Sequence, residues 1–153
     1  MADRTYVAEN RTQLARLEAL VGRLSDRELQ SPMDAGWTVA AVLAHLAFWD
    51  YRIVTLLDRW GVDGRGTPPP ANDAAAVDWI NDAGKPLCLA LPPREAARIA
   101  VTAARAADQR VAAVTDGLLA ANVAAGSPLS MLRAEHRREH LDEIDRLFSR
   151  ARP

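Results

Sequence analysis

The chain has 153 residues, of which 49% are hydrophobic and 25% charged, with a formal net charge of -1. These values describe one folded domain, residues 1–153, large enough to bury a core, and the single cysteine, Cys88, excludes an intrachain disulfide framework. The near-neutral charge leaves no electrostatic footprint for nucleic acid and no polybasic cluster for an anionic membrane, so small molecules or protein are the expected partners.

The opening MADRTYVAEN places acids and polar residues where a signal peptide needs an apolar run. No uninterrupted apolar stretch reaches the roughly 18 residues of a membrane span. With a lone cysteine suited to a reducing compartment, the expected location is the cytoplasm.

The first predicted helix covers Asp3 to Leu24, with Val7, Leu14, Leu17, Val21 and Leu24 as its apolar stripe. Ser25-Asp26-Arg27-Glu28 has the capping-box pattern and predicts a short extra turn, after which Pro32 and Gly36 break the chain. A second helix starts at Thr38, with Trp37 placed to staple onto Val42, and runs to about Trp60. Its stripe is Val42, His45, Leu46, Trp49, Ile53, Leu56, Leu57 and Trp60, so a histidine stands where an apolar side chain is expected.

Residues 61–92 are rich in proline and glycine and predict a long connection, with a short helix from Asp73 to Asp82. Pro93-Arg94-Glu95 opens a third helix whose stripe is Ile99, Ala103, Ala107, Val111, Val114 and Leu118. Its alanine-rich face permits close approach of a neighbouring helix. Ser127-Pro128 predicts the start of a fourth helix, through about Arg150, with the stripe Leu129, Leu132, His136, His140, Ile144 and Leu147. No segment alternates as a strand does, so the fold class is all-α. Four amphipathic helices bury their stripes most simply in a four-helix bundle.

The chain has three histidines, and all three fall on predicted apolar stripes. A buried imidazole without partners costs on the order of 1–3 kcal/mol per unsatisfied group, so the coincidence calls for a shared partner. His136 and His140, four residues apart, present their rings on one helix face, and His45 enters from another helix. Together they form a candidate site for one divalent ion, zinc or nickel by the preference of imidazole. Three nitrogen ligands leave an open position of the catalytic kind. Glu135, Glu139 and Glu143 neighbour the pair as competing ligands or as groups that orient a histidine. Trp49 and Asp50 are candidate pocket residues beside His45, each weighed against plain core packing or solvation. Trp37 reads as a staple, and Cys88, between two leucines, as filler.

Gly36-Trp37-Thr38-Val39 leading into Leu43-Ala44-His45-Leu46-Ala47-Phe48-Trp49-Asp50, with Glu135-His136-Arg137-Arg138-Glu139-His140-Leu141-Asp142-Glu143-Ile144 about 90 residues later, resembles the DinB/YfiT-like superfamily over nearly the whole chain. The resemblance implies a four-helix bundle with a long crossover between helices 2 and 3, and metal ligation by His45, His136 and His140. Its relatives include mycothiol-dependent maleylpyruvate isomerases and bacillithiol S-transferases, so it also implies a metal-dependent thiol transferase using mycothiol or a similar thiol against a small-molecule electrophile. The isomerases carry a second C-terminal domain, whereas this chain stops at Pro153, so thiol transfer is expected rather than isomerisation. Homodimerisation is expected because relatives pair. Two other expectations stand beside the transferase: a metal-assisted hydrolase acting through bound water, and a non-catalytic bundle that binds a metal or small ligand.

Overall fold

The computed structural model describes residues 2–61, 66–71 and 73–150. Within them the chain forms seven α-helices: α1 (Thr5–Arg23), α2 (Asp26–Leu29), α3 (Val39–Trp60), α4 (Ala74–Ala90), α5 (Pro93–Ala112), α6 (Asp116–Ala124) and α7 (Ala134–Arg150). Among the described residues there is no strand, only an isolated bridge between Pro32 and Thr38. The all-α expectation holds.

Helix starts follow local chemistry closely. Ser25 and Glu28 form the full capping box of α2, and the Thr38 hydroxyl accepts from the Ala41 amide to open α3. Three other expectations are corrected. The short helix in the connection extends from Ala74 to Ala90, through Gly84 and Pro86. Proline there removes one intrahelical hydrogen bond, and packing along α3 outweighs that loss. Residues 62–65 and 72 of this connection lie outside the described residues.

The third helix stops at Ala112 and α6 begins afresh at Asp116, because side chains from the N-terminus take carbonyls that a continuous helix would use. Tyr6 Oη donates to the Val111 carbonyl at 3.0 Å and Arg4 to that of Val114 at 2.8 Å, while Thr115 caps α6. The fourth long helix begins at Ala134 rather than at Ser127-Pro128. Two buried asparagines hold residues 125–133 in an irregular path. Asn122 exchanges two hydrogen bonds with the Leu129 backbone, and Asn10 accepts from the Ala134 amide at 2.9 Å while donating to the Met131 carbonyl. Ser127 itself has φ +56°, a left-handed conformation incompatible with capping a helix at that point.

The long helices pack as α1 on α5, α5 on α3, α3 on α7 and α7 on α1, and α4 lies along α3. The alanine face expected for the third helix appears as Ala96, Ala97, Ala100, Ala103, Ala104 and Ala107, all buried, against the small residues at the start of α3. By length and composition α3 is apolar enough to cross a membrane, and here most of it is buried inside the protein.

Two apolar clusters make the core. One joins Leu17 to Leu24, Val39 to Leu46, Ala96 to Ala104, and Leu141 with Ile144; the other joins Tyr6, Ile53 to Trp60, Val111 to Leu118, and Leu129 with Met131. α3 and α5 pass the clusters in one order and α1 in the opposite order. Between the clusters lies a polar layer to which α1, α3, α5 and α7 all contribute. Arg137, 1% exposed, reaches from α7 to the Asp50 carboxylate on α3 at 3.1 Å, to Asp108 on α5 at 3.0 Å, and to the backbone carbonyls of Asn10 and Ala104. Arg133 holds the other Asp50 oxygen at 3.0 Å.

Candidate metal centre

His45 sits on α3 just ahead of the polar layer, with only 9% of its surface exposed. On α7 the residues turned fully inward are Ala134, Arg137, Leu141 and Ile144. His136 and His140 each precede one of these by a single position, which rotates them about 100° from the core onto the flank facing α3. The expected stripe therefore differs from the buried one, and both histidines of the pair are half-buried at the edge of a cavity instead of within the core.

The three rings converge. Ring centroids are 5.1 Å apart for His45 and His136, 5.1 Å for His45 and His140, and 4.9 Å for His136 and His140. One nitrogen from each lies within 4.8 Å of the others, and the Nε2 atoms of His45 and His136 are 3.1 Å apart. Two nitrogens bound to one ion at about 2.0–2.1 Å with an inter-ligand angle between 90° and the tetrahedral value stand roughly 2.8–3.4 Å apart. The pair already meets that spacing.

Protonation agrees with the geometry. Burial, reinforced by the neighbouring His140, pushes the His45 pKa down to about 4, and burial with the charges of His140 and His45 pushes His136 lower still. Both are neutral at pH 7 and offer lone pairs, the form a metal requires. His140 Nδ1 lies 2.9 Å from Glu143 Oε2, one turn further along α7. A carboxylate accepts, so Nδ1 carries a proton, and in the neutral ring the free lone pair is then on Nε2. Of the three flanking glutamates, Glu143 thus orients a histidine and Glu139 lines the cavity, while Glu135 is exposed.

These shifts predict the acid sensitivity of the metal-free protein. The unfolded chain takes up a proton on His45 near pH 6.5, before the folded chain does, so the stability present above that pH is lost as pH falls towards 4. On the order of 3 kcal/mol is expected from His45. Urea unfolding of wild type at pH 7 and pH 4.5 should show that loss, reduced in His45→Gln; equal losses in the two proteins would contradict it.

Two cavities meet at His45. A polar one of about 1160 Å³ is bounded by His136, His140, Glu139, Glu143, Arg146 and Arg150 from α7 and by Asp78 and Asp82 from α4. An apolar one of about 430 Å³ lies between α3 and α4. Trp37, His45 and Asn81 line both. Trp37 therefore does more than staple the start of α3. Its ring stands edge-on to His45 at 5.6 Å, carried by a turn in which Ala35 and Gly36 adopt φ +53° and +73°. Lys85 of α4 secures that turn by donating to the Ala35 carbonyl, and its ammonium lies 5.4 Å from the centre of the Trp37 ring.

The other two pocket candidates fall elsewhere. Trp49 is edge-on to His45 at 6.4 Å but lines neither cavity; its indole donates to Asn81 at 2.9 Å and ties α4 to α3. Asp50 is 2% exposed and committed to Arg133 and Arg137, so it belongs to the buried polar layer and not to a pocket. Sequence reasoning missed Arg137. The signal was present in two core stripes of opposite charge: Asp50 in register with Leu46, Ile53 and Leu57, and Arg137 in register with Ala134, Leu141 and Ile144.

No curated protein and no solved structure matches this chain significantly. A family model does, across residues 9–144, a span that includes the paired tryptophan-histidine block of α3 and the His-x-x-x-His pair of α7. With that match covering most of its length, the chain belongs to the DinB superfamily.

Proposed function

We propose that the protein is a metal-dependent transferase of a low-molecular-weight thiol, mycothiol or a close analogue, in which His45, His136 and His140 hold a zinc or nickel ion. The observation that carries this reading is the approach of three imidazole nitrogens to within 4.8 Å of one another at the wall of a large polar cavity. When bound there, such an ion lowers the pKa of a coordinated thiol and holds it as thiolate, the form that attacks electrophilic carbon.

The chain's own groups supply the rest. Glu143 keeps the proton of His140 on Nδ1, fixing its tautomer and ring orientation. Trp37 and Trp49 flank His45 edge-on and restrict the space in which it can turn. The carboxylates and the arginines Arg146 and Arg150 around the polar cavity suit a hydroxyl- and amide-rich thiol, which needs both acceptors and donors. In the transfer a carbon–sulfur bond forms, the leaving group departs with its electron pair, and the thiol proton passes to solvent.

The test is conjugate formation. Protein loaded with zinc or nickel, mycothiol and monochlorobimane should give the S-bimane conjugate and chloride, detected by mass spectrometry, at a rate lost in His140→Ala. A product that forms without thiol would favour the hydrolase reading instead. No turnover of a panel of electrophiles by metal-loaded protein would leave a metal-binding bundle.

A further inference from the structure

The apolar cavity of about 430 Å³ between α3 and α4 shares only His45 with the three converging imidazoles. Its size falls within the range of small-molecule sites, and among the described residues no aspartate, glutamate, lysine or arginine lines it. The buried Ala44 and Ala47 and the half-buried Ile80, Leu91 and Ile99 line it, while Phe48, Tyr51 and Leu87, also in its lining, remain 48%, 41% and 74% exposed. Large apolar side chains left open to water around one concavity mark a place where another apolar body fits. A charged ligand would find no counter-ion there, and its desolvation would go uncompensated.

We propose that this cavity binds the uncharged, apolar body of a ring-sized small molecule and presents it to the histidine centre. His45 belongs to both spaces, as one of the three converging imidazoles and as a wall of the cavity. Asn81 joins the two spaces from the α4 side, and its carbonyl oxygen is already engaged by Trp49, so the boundary is built and not incidental. Cys88 also faces the cavity, and burial raises its thiol pKa, which keeps this wall neutral. The assignment of the molecule as the electrophile rests on the thiol-transfer reading, whereas its binding in the cavity does not.

Gly84 gives a clean way to test it. It lines the cavity from within α4, and a Cβ placed on it meets no atom within 4 Å, so the cavity wall has room for a side chain at this position. Leucine also favours the helix over glycine. The probe is N-phenyl-1-naphthylamine, neutral and fluorescent in apolar surroundings, titrated into the full chain and scored alongside metal content. Wild type should bind one probe per chain. Gly84→Leu and, at the half-exposed rim, Phe48→Glu should each weaken binding at least tenfold with metal content unchanged. Absence of saturable binding in wild type, or binding by both variants as tight as that of wild type, would overturn the proposal. Probe binding by a wild type that takes up no metal would uphold the cavity and remove the electrophile assignment alone, so the two readings fail separately.

Discussion

Replacing Asp50 with alanine is expected to destabilise the protein by about 3–5 kcal/mol, the range for breaking a buried ion pair by removing one partner. Its carboxylate is 3% exposed and is the shared acceptor for Arg133, at 3.0 Å, and Arg137, at 3.1 Å. Arg137 would keep Asp108, but Arg133, with a side chain 8% exposed, would lose its buried partner. The layer also sets the register of the site. Arg137 adjoins His136 in α7 and is bonded to α1, α3 and α5, so it fixes how far along α3 the histidine pair lies. Asp50→Ala should therefore lower metal affinity as well as the urea midpoint. A midpoint shift from wild type corresponding to less than about 1 kcal/mol would show that the layer is solvated or dispensable.

The second large effect has opposite signs for binding and folding. His136→Leu removes one of three ligands, and if structural zinc sites bind with on the order of 10 kcal/mol, a third of that is several-hundred-fold in affinity. The metal-free protein should be at least as stable as wild type, because leucine replaces an imidazole that burial and two neighbouring histidines hold away from its charged form. Stability lost together with metal would mean that the histidine serves packing. Competition with a chromophoric chelator and urea unfolding in EDTA measure the two halves separately.

Local signals in the sequence were reliable where side chain and backbone meet within a few residues. The Ser25–Glu28 capping box and the Thr38 cap appear as read, and α3 ends at Trp60 as its periodicity indicated. Signals failed where distant residues decide. Nothing near Val111 or Val114 announces that Tyr6 and Arg4 will take their carbonyls and end a helix there. Ser127-Pro128 has the chemistry of a helix start, yet Asn10 and Asn122 impose a different path and move that start to Ala134. Pro86 argues against a helix that packing on α3 nevertheless carries to Ala90.

The site was legible for a related reason. Three histidines on apolar stripes are costly without a common partner, and the folded chain brings all three together. What periodicity blurred was their exact face. The true inward stripe of α7 includes an arginine, so the apolar pattern pointed one residue away from it, at His136 and His140. Pairing Arg137 with Asp50 in advance would have required reading charge on one core stripe against charge on another.

Metal content measures most directly whether His45, His136 and His140 hold one ion between them. Protein purified without an affinity tag, supplied with zinc or nickel and dialysed, would be assayed by elemental mass spectrometry beside His136→Ala and His140→Ala. Close to one equivalent per chain in wild type, lost in both variants, is the predicted result. Wild type that retains no metal after either ion is supplied, or variants that retain as much as wild type, would contradict it.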